Sequence, residues 1–178
     1  MMGIFDFLKG NKKDQDKQTQ ETSTTDNKVG IYNPVKGEVV DIEQVDDPVF
    51  SQKMMGDGFG VRPANGDIYA PGHGKVVSVF PTQHAVGLEL DNGVEVLVHI
   101  GIDTVELDGG PFDTVVKEGD TVTPETKIST VDLDALEKAG KLDTVIVVFT
   151  NMDNVDQFSI DKKGEADPSV EIGSIVSK

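Results

Sequence analysis

This 178-residue chain contains three histidines and no cysteine. The histidines are therefore its main candidates for nucleophilic or metal-binding chemistry. Disulfides, a catalytic thiolate and cysteine-ligated metal are therefore excluded. His99 ends a run in which the side chains alternate in polarity, as in a strand with one buried face. Glu95 and Leu97 share its face, while the valines between them take the face that we expect to be buried. An imidazole in this position can act as a nucleophile or as a metal ligand.

His84 precedes His99 across a predicted hairpin whose turn is Asp91-Asn92-Gly93. If Asn92-Gly93 or Asp91-Asn92 forms a two-residue turn, His84 lies diagonal to or directly opposite His99 on one face, roughly 5–8 Å away at Cβ. A three-residue turn would instead place the two imidazoles on opposite faces of the sheet. Both two-residue registers predict a histidine pair.

Such a pair has three interpretations. The two residues could be unrelated surface neighbours. They could bind zinc, with Asp103 and Glu106 as further ligands toward the four that a closed site needs. Alternatively, one imidazole is a nucleophile that takes a phosphoryl group, while the other donates a hydrogen bond to its oxygens. His73, which stands between two glycines, is expected to be a solvated turn residue rather than a ligand.

The elements that must position these histidines are predicted to be strands. From Ile31 onward, short runs rich in valine and isoleucine alternate with clusters of glycine, proline, asparagine and aspartate. This spacing is typical of an all-β sandwich or barrel. The predicted strands are Glu38–Ile42, Lys75–Phe80, Val86–Leu90, Val94–Ile100 and Thr144–Phe149.

An internal repeat indicates a pseudo-symmetric fold. Pro34–Ile42 matches Pro71–Val79 position for position, at an offset of 37 residues. One short helix is predicted over Asp134–Ala139. Asp134 and Glu137 can form a capping box at its start, and Gly140 can cap its end.

Charge is distributed unevenly along the chain. The formal net charge is −16, from 16 Lys and Arg against 32 Asp and Glu, yet residues 1–28 are neutral. An acidic surface repels phosphate backbones, so we expect no nucleic-acid partner and favour a basic protein surface. No apolar run approaches the ~20 residues of a membrane span. Because no signal-peptide stretch stands at the N-terminus either, the expected location is cytoplasmic.

Residues 1–28 are predicted to be a disordered tail, and residues 29–178 a folded domain. The stretch Asn11–Lys28 has no large apolar side chain, so it cannot bury enough surface to offset its ordering entropy. Met1–Leu8 places its apolar side chains on one arc of a helical wheel. This short amphipathic segment is either a weak membrane-surface anchor or a frayed terminus.

The residues around the two later histidines resemble a known family. Pro81–Ala85 and Gly93–Leu107, with their His-Ile-Gly-Ile-Asp-Thr-Val block, are similar to the glucose-family enzyme IIA of the bacterial sugar phosphotransferase system. The resemblance runs from about residue 30 to the end of the chain. It implies an all-β fold, a β-sandwich or barrel-sandwich hybrid of the duplicated-hybrid-motif type, with one or two short helices. It implies no required cofactor.

The same resemblance implies a role for each site residue. His99 would accept a phosphoryl group on Nε2 from the histidine phosphocarrier protein HPr and donate it to a cysteine of the enzyme IIB domain of a sugar permease. His84 would steady the phosphoryl group, and Thr82 would orient His84. The other implied residues contact partners: Phe50, Phe80 and Met54 in an apolar docking surface, and Asp47 and Asp103 facing an arginine of the phosphocarrier protein.

The sequence departs from the family pattern in two turns. His73 stands where the family usually has aspartate, and Gly109–Phe112 replaces a Gly-Glu-Gly-Phe-type loop. Both turns lie outside the histidine blocks. They therefore bear on local geometry and partner choice rather than on phosphotransfer.

Other protein classes match the sequence less well. Lysostaphin-type zinc endopeptidases share the architecture but need a His-x-His pair and an upstream His-x3-Asp, and Leu97 and Val77 stand at the corresponding positions. A biotinyl or lipoyl carrier needs a modifiable lysine at a hairpin tip, and none stands out. A non-catalytic regulator that binds transporters or kinases, through zinc shared at His84 and His99, is the alternative function.

Overall fold

A computed structural model describes residues 27–178, and this part of the chain is built almost entirely from β-strands. Valine and isoleucine dominate these strands because branched side chains suit a pleated, half-buried surface. The strands are β1 (Lys28–Tyr32), β2 (Gly37–Asp41), β3 (Gly58–Pro63), β4 (Asp67–Tyr69), β5 (Gly74–Val79), β6 (Ala85–Leu90), β7 (Glu95–Ile100), β8 (Phe112–Thr114), β9 (Thr121–Val122), β10 (Lys127–Val131), β11 (Val145–Phe149), β12 (Val155–Ile160), β13 (Gly164–Ala166) and β14 (Glu171–Ser177). The helices in this range are α1 (Pro48–Ser51) and α2 (Leu133–Lys138), with 3-10 turns at Ile42–Gln44, Thr104–Leu107 and Met152–Asn154.

The strands of this range form one large and two small sheets. The large sheet has eight strands in the order β13-β2-β3-β11-β7-β6-β5-β9, and the small sheets are β1-β14-β12 and β4-β10-β8. Every strand pair among residues 27–178 is antiparallel. The predicted all-β sandwich class with one or two short helices is confirmed. Strand β7 contains His99, and strand β6 begins directly after His84. Both strands lie inside the large sheet rather than at its edge.

The internal repeat corresponds to a symmetry in backbone hydrogen bonding. The N–H of Tyr69 donates to the carbonyl oxygen of Pro34 at 2.6 Å, and the N–H of Tyr32 donates to that of Pro71 at 2.8 Å. Tyr32 and Tyr69 are themselves 37 residues apart, as the two prolines are. Each copy of the repeat is therefore tied to the other copy by the same bond.

Strand β11 is buried on both faces and divides the core into two clusters. Val145 and Val147 belong to the main core, whereas Ile146 and Val148 belong to a smaller cluster. Ile146 lies opposite His99 in the ladder between β11 and β7, so His99 lies on the side of the smaller cluster. The other members of that cluster are Ile42, Val45, Phe50 and Ile102.

Helix α2 occurs where the sequence predicts it, but its predicted N-cap is wrong. The carboxylate of Asp132 accepts a hydrogen bond from the N–H of Ala135 at 3.1 Å, while Asp134 lies inside the first turn. Because alanine occupies the third helical position, no capping box forms. The predicted C-terminal cap is confirmed, since Gly140 has φ +74 and its N–H donates to the carbonyl oxygen of Glu137 at 3.0 Å.

Residues 1–26 of the predicted tail, which include the amphipathic segment Met1–Leu8, lie outside the described residues. Strand β1 begins at Lys28, which pairs with Val176 of β14. The folded part therefore starts at least one residue before the predicted boundary at residue 29. Within residues 27–178, no helix is long and apolar enough to cross a membrane.

Candidate functional site

A backbone carbonyl holds the ring of His99 at the end of β7. Nδ1 of His99 lies 2.8 Å from the carbonyl oxygen of Gly101. A carbonyl oxygen can only accept, so Nδ1 carries the proton and donates it. In the neutral ring Nε2 then keeps its lone pair. The predicted alternation is confirmed, because Val96 and Val98 are buried in the core while His99 is half-buried on the other face.

The turn after β7 presents that carbonyl. Gly101 has φ +79, and a Cβ there would lie 2.5 Å from Cγ2 of Thr104 and 2.9 Å from the carbonyl oxygen of Leu142. The buried hydroxyl of Thr104 donates to the carbonyl oxygen of Ile100 at 2.5 Å. The position therefore requires glycine. Sequence reasoning gave Gly101 no role, although a glycine two residues after a strand-ending histidine was the available signal.

The hairpin between the two histidines closes through three residues, and both two-residue turns are wrong. The N–H of Leu90 donates to the carbonyl oxygen of Val94 at 2.8 Å, which leaves Asp91, Asn92 and Gly93 as the loop. Gly93 has φ +89. A third loop residue in the left-handed region is typical of a hairpin closed by a bulge.

His84 nevertheless lies beside His99, because it stands in a bend before β6 and not inside the strand. Ala85 is the residue that pairs with His99, and Gln83 has φ +58, so strand alternation does not extend to His84. The N–H of Ile100 donates to the carbonyl oxygen of His84 at 2.7 Å. The two ring centroids are 5.0 Å apart at an interplanar angle of 77°. The expectation that a three-residue turn would separate the rings is therefore wrong.

Thr82 contacts His84 at Nδ1. The Oγ1 atom of Thr82 lies 2.5 Å from this nitrogen, and a hydroxyl can donate or accept. His84 is 6 % exposed, and burial lowers its pKa from the ordinary value of 6.5. The neutral ring is therefore favoured. A neutral His84 that accepts from Thr82 at Nδ1 carries its proton on Nε2.

Burial also keeps His99 neutral. The pKa of His99 falls from 6.5 to about 4, and desolvation is the largest cause. The neighbouring His84 contributes to the lowering, whereas the hydrogen bond to Gly101 and the carboxylates of Asp47 and Asp103 oppose it. Because the resulting value lies well below neutrality, the Nε2 lone pair is available throughout the physiological pH range.

An apolar rim surrounds the two rings. The ring centroid of Phe50 lies 5.1 Å from that of His99, and the centroid of Phe80 lies 5.4 Å from that of His84. Phe50 is buried on α1, whereas Phe80 is 37 % exposed and Met54 is 69 % exposed. A groove of about 300 Å³ lies beside Phe80. Its lining includes Met55, Val77, Leu88 and Leu97.

Two carboxylates stand near this rim. Asp47 caps α1, since its Oδ1 accepts from the N–H of Val49 at 2.8 Å. Asp103 is exposed in the turn after Gly101, with φ +60. Both carboxylates raise the pKa of His99, so both are close enough to place negative charge at the site.

Of the zinc ligands considered from the sequence, the structure brings together only His84 and His99. Among residues 27–178, no three His, Cys, Asp or Glu side chains gather as a group that could hold a metal ion. Asp103 and Glu106 therefore do not complete a site with the histidines, and Glu106 instead pairs with Lys141. A zinc ion held by His84 and His99 would need ligands from a second protein.

His73 lies in a different part of the surface. It is exposed, and its ring stands edge-on to that of Tyr32 at a centroid distance of 5.9 Å. The prediction of a solvated turn residue is confirmed. The chain therefore carries a third imidazole that serves as an internal control for chemistry at the pair.

Comparison with known proteins agrees with this fold. The family model described as phosphoenolpyruvate-dependent sugar phosphotransferase system, EIIA 1, matches residues 29–155. This range includes both histidines of the pair and the turns that hold them. The chain belongs to this enzyme IIA family, and the resemblance recognised in the sequence is confirmed.

Individual relatives support the same assignment. The glucose-specific EIIA component of Staphylococcus epidermidis is 45 % identical over 136 residues, which are 76 % of this chain and 82 % of that protein. The glucose-specific EIICBA component of Streptococcus pneumoniae is 52 % identical over 134 residues, which are 75 % of this chain but only 18 % of that longer protein. Among solved structures, glucose permease IIA from Mycoplasma capricolum matches with a TM-score of 0.76 at 36 % identity, covering 83 % of this chain and 95 % of that one.

Proposed function

We propose that this chain is a phosphocarrier, in which His99 accepts a phosphoryl group from HPr and passes it to the enzyme IIB domain of a sugar permease. The observation that carries the proposal is the 2.8 Å hydrogen bond from Nδ1 of His99 to the Gly101 carbonyl, which leaves Nε2 to react. The fused EIICBA relative supports an enzyme IIB partner. The glucose-specific names of the relatives favour a glucose permease. We infer that the relay runs in the cytoplasm.

Phosphoryl acceptance is a displacement at phosphorus. The Nε2 lone pair of His99 forms a new P–N bond while the P–N bond to the histidine of HPr breaks, and the electron pair of that bond returns to the departing ring. Positive charge develops on the His99 ring. The hydrogen bond from Nδ1 to the Gly101 carbonyl strengthens as it does so, because a charged donor makes a stronger bond.

His84 meets the negative charge that the phosphoryl group brings. With the hydroxyl of Thr82 donating to Nδ1, Nε2 of His84 carries a proton and donates it in a hydrogen bond to a phosphoryl oxygen. The incoming dianion raises the pKa of His84 by attraction, against the lowering that burial causes. His84 therefore steadies the group on His99 rather than receiving it.

Donation reverses the chemistry with a different acceptor. A cysteine thiolate of the enzyme IIB domain forms a P–S bond while the P–N bond to His99 breaks, and the ring returns to its neutral form. The rim residues Phe50 and Phe80 exclude water from the phosphohistidine between the two steps, which limits hydrolysis.

The rim also provides the docking surface. The exposed side chains of Phe80 and Met54 supply apolar contact area of the kind that marks a protein interface, and the buried Phe50 supports it from below. Asp47 and Asp103 supply negative charge at its border, where an arginine of HPr would bind. The net charge of −16 steers a basic carrier toward this face.

The proposal is tested by incubating the chain with phosphoenolpyruvate, enzyme I and HPr and recording intact mass under alkaline conditions. One phosphoryl group should be added, stable in base and labile in acid. His99→Gln should abolish the addition, and His73→Gln, which removes the exposed control imidazole, should leave it unchanged. Phosphorylation that persists in His99→Gln would refute the assignment.

Regulation is the second candidate function, favoured by two imidazoles with ring centroids 5.0 Å apart, which would supply two of the four ligands of a tetrahedral zinc site. A transporter or kinase that supplies the missing ligands would be bound through the metal. Zinc and the phosphoryl group compete for Nε2 of His99 in this scheme. Zinc-dependent capture of a partner by the unphosphorylated chain but not the phosphorylated chain would support it, and equal capture of both forms would exclude it.

A further inference from the structure

Gln83 lies between Thr82 and His84 and has no part in the relay described above. Its backbone is in the left-handed region, with φ +58. A residue other than glycine adopts this conformation at a cost, and such residues concentrate at functional sites. The N–H of Gln83 donates to the carbonyl oxygen of Phe80 at 2.8 Å, which closes the turn that carries His84.

The side chain of Gln83 ties this turn to another sheet. Its Oε1 accepts a hydrogen bond from the backbone N–H of Thr114 in β8 at 3.0 Å. Strand β8 belongs to the sheet β4-β10-β8, whereas His99 lies in β7 of the eight-stranded sheet and His84 directly precedes β6 of the same sheet. The glutamine therefore bridges the turn to a separate layer of the domain.

Besides the bond from Gln83 to Phe80, two backbone bonds secure the ends of the turn. The N–H of Phe80 donates to the carbonyl oxygen of Ala85 at 3.2 Å, and the N–H of Ile100 donates to that of His84 at 2.7 Å. Across the described residues, the bond from Gln83 to β8 is the only side-chain hydrogen bond that joins this turn to a different element. It therefore ties the turn to a second sheet, which the backbone bonds of the turn do not do.

The neighbouring loop leaves room for this side chain. A Cβ on Gly109 would lie 3.4 Å from Nε2 of Gln83 and 3.5 Å from the carbonyl oxygen of Thr82. These distances are at the limit of ordinary contact, so the loop packs directly over the turn. Gln83 is half-buried, with contacts to β8 on one side and to Gly109 on another.

We propose that Gln83 is a positioning residue for phosphoryl donation, because its anchor to β8 holds Thr82 and His84 where they steady the group on His99. The inference rests on the proposed relay. His99 is oriented by Gly101 in a different turn. Loss of the Gln83 anchor should therefore impair donation to enzyme IIB more than acceptance from HPr.

The test follows the two half-reactions separately in three variants. Gln83→Met keeps the length of the side chain and removes the acceptor for Thr114. Gln83→Glu keeps an acceptor oxygen at the same distance along the side chain. Gln157→Met makes the same change as the first variant at an exposed position of β12, in the sheet β1-β14-β12.

Gln83→Met should lower kcat for donation roughly five- to tenfold, the loss expected for one hydrogen bond, with KM for enzyme IIB unchanged. Acceptance should stay within about twofold, and Gln83→Glu should restore donation to within about twofold of the unsubstituted chain. The 15N shifts of the His84 ring should change in Gln83→Met and recover in Gln83→Glu. Gln157→Met should match the unsubstituted chain in every measurement.

Equal losses in both half-reactions, or no loss in donation, would overturn the inference. Failure of Gln83→Glu to restore donation and the ring shifts would overturn it as well. If the unsubstituted chain accepts no phosphoryl group, the relay itself is wrong. In that case the 15N shifts of the His84 ring still test whether Gln83 positions His84, because this measurement needs no phosphoryl transfer. Unchanged shifts in Gln83→Met would contradict the positioning role.

Discussion

The two turns that hold the imidazoles are built from different parts of the chain. In the turn at residues 100–104, the backbone carbonyl of Gly101 fixes His99. In the turn at residues 81–84, the side chains of Thr82 and Gln83 support His84. A ring held by the backbone moves only when the backbone moves, whereas a ring held by side chains can be released by substitution. Changes in the turn at residues 100–104 should therefore lower stability and slow both half-reactions. Changes in the turn at residues 81–84 should slow donation more than acceptance.

The largest effect is expected from His84→Gln, which removes the donor of the second turn and leaves the first intact. Donation to enzyme IIB should fall about 10²–10³-fold, the usual loss when a preorganised donor to developing charge is removed. Acceptance from HPr should stay within about threefold. Rapid-quench measurement of each half-reaction gives the comparison. Equal loss in both would mean that His84 is the primary acceptor or is required for folding.

Gly101→Ala should break the first turn. The added methyl group would crowd Thr104 and the Leu142 carbonyl at 2.5 and 2.9 Å, at a backbone φ of +79. We expect the free energy of unfolding to fall by about 2 kcal/mol or more, with slower acceptance and slower donation. Gly119→Ala is the matched control, because φ is +96 there and nothing lies within 4 Å of a Cβ. Equal losses in urea denaturation of the two variants would show that crowding at Gly101 is unimportant.

The pH dependence of stability tests the neutral state of His99. Its pKa is 6.5 ordinarily and about 4 in the folded chain, so the unfolded state binds more protons between these values. The stability that His99 contributes is therefore complete above pH 6.5 and declines as the pH falls toward 4. Between pH 7 and pH 5, the unsubstituted chain should lose more free energy of unfolding than His99→Gln does. Parallel curves for the two proteins would contradict the lowered pKa.

The smallest effects are expected at the two carboxylates of the rim. Asp47→Asn keeps an N-cap acceptor for α1, and Asp103→Asn suits a left-handed backbone, so each change removes charge and little else. Acceptance from HPr should slow about two- to fivefold at low salt and less at high salt. Asp156→Asn, at an exposed position of β12, is the control. A loss that does not depend on salt would argue against a role for charge.

The orientation of His99 could be predicted because strand alternation is a local property of the chain. Val96 and Val98 could belong only to the buried face, so His99 had to lie on the other one. The repeat was visible for a similar reason. Its two prolines occupy equivalent positions before β2 and β5, and their carbonyl oxygens accept equivalent bonds from Tyr69 and Tyr32.

The support of the pair could not be predicted, because it depends on turn conformation and on contacts between distant residues. Asn92-Gly93 suits loops of two or three residues, and a slip of one residue exchanges the faces of a strand. His84 lies beside His99 because the backbone of Gln83 is left-handed. Glycine is the usual sequence signal for that conformation, and position 83 is not glycine. The bond from the Thr114 N–H to Gln83 joins residues 31 positions apart, one in strand β8 and one in the turn before β6. The pattern of neighbouring residues in the sequence does not predict a contact of this kind.

The central claim is that Nε2 of His99 takes the phosphoryl group while Nδ1 keeps its proton on the Gly101 carbonyl. The most direct test is a long-range 1H–15N NMR spectrum of the chain phosphorylated through HPr, with uniform 15N labelling. The account predicts that the ring nitrogen coupled to 31P is Nε2 of His99, with a slowly exchanging proton on Nδ1. A phosphoryl group found on Nδ1 of His99, or on either nitrogen of His84, would contradict it.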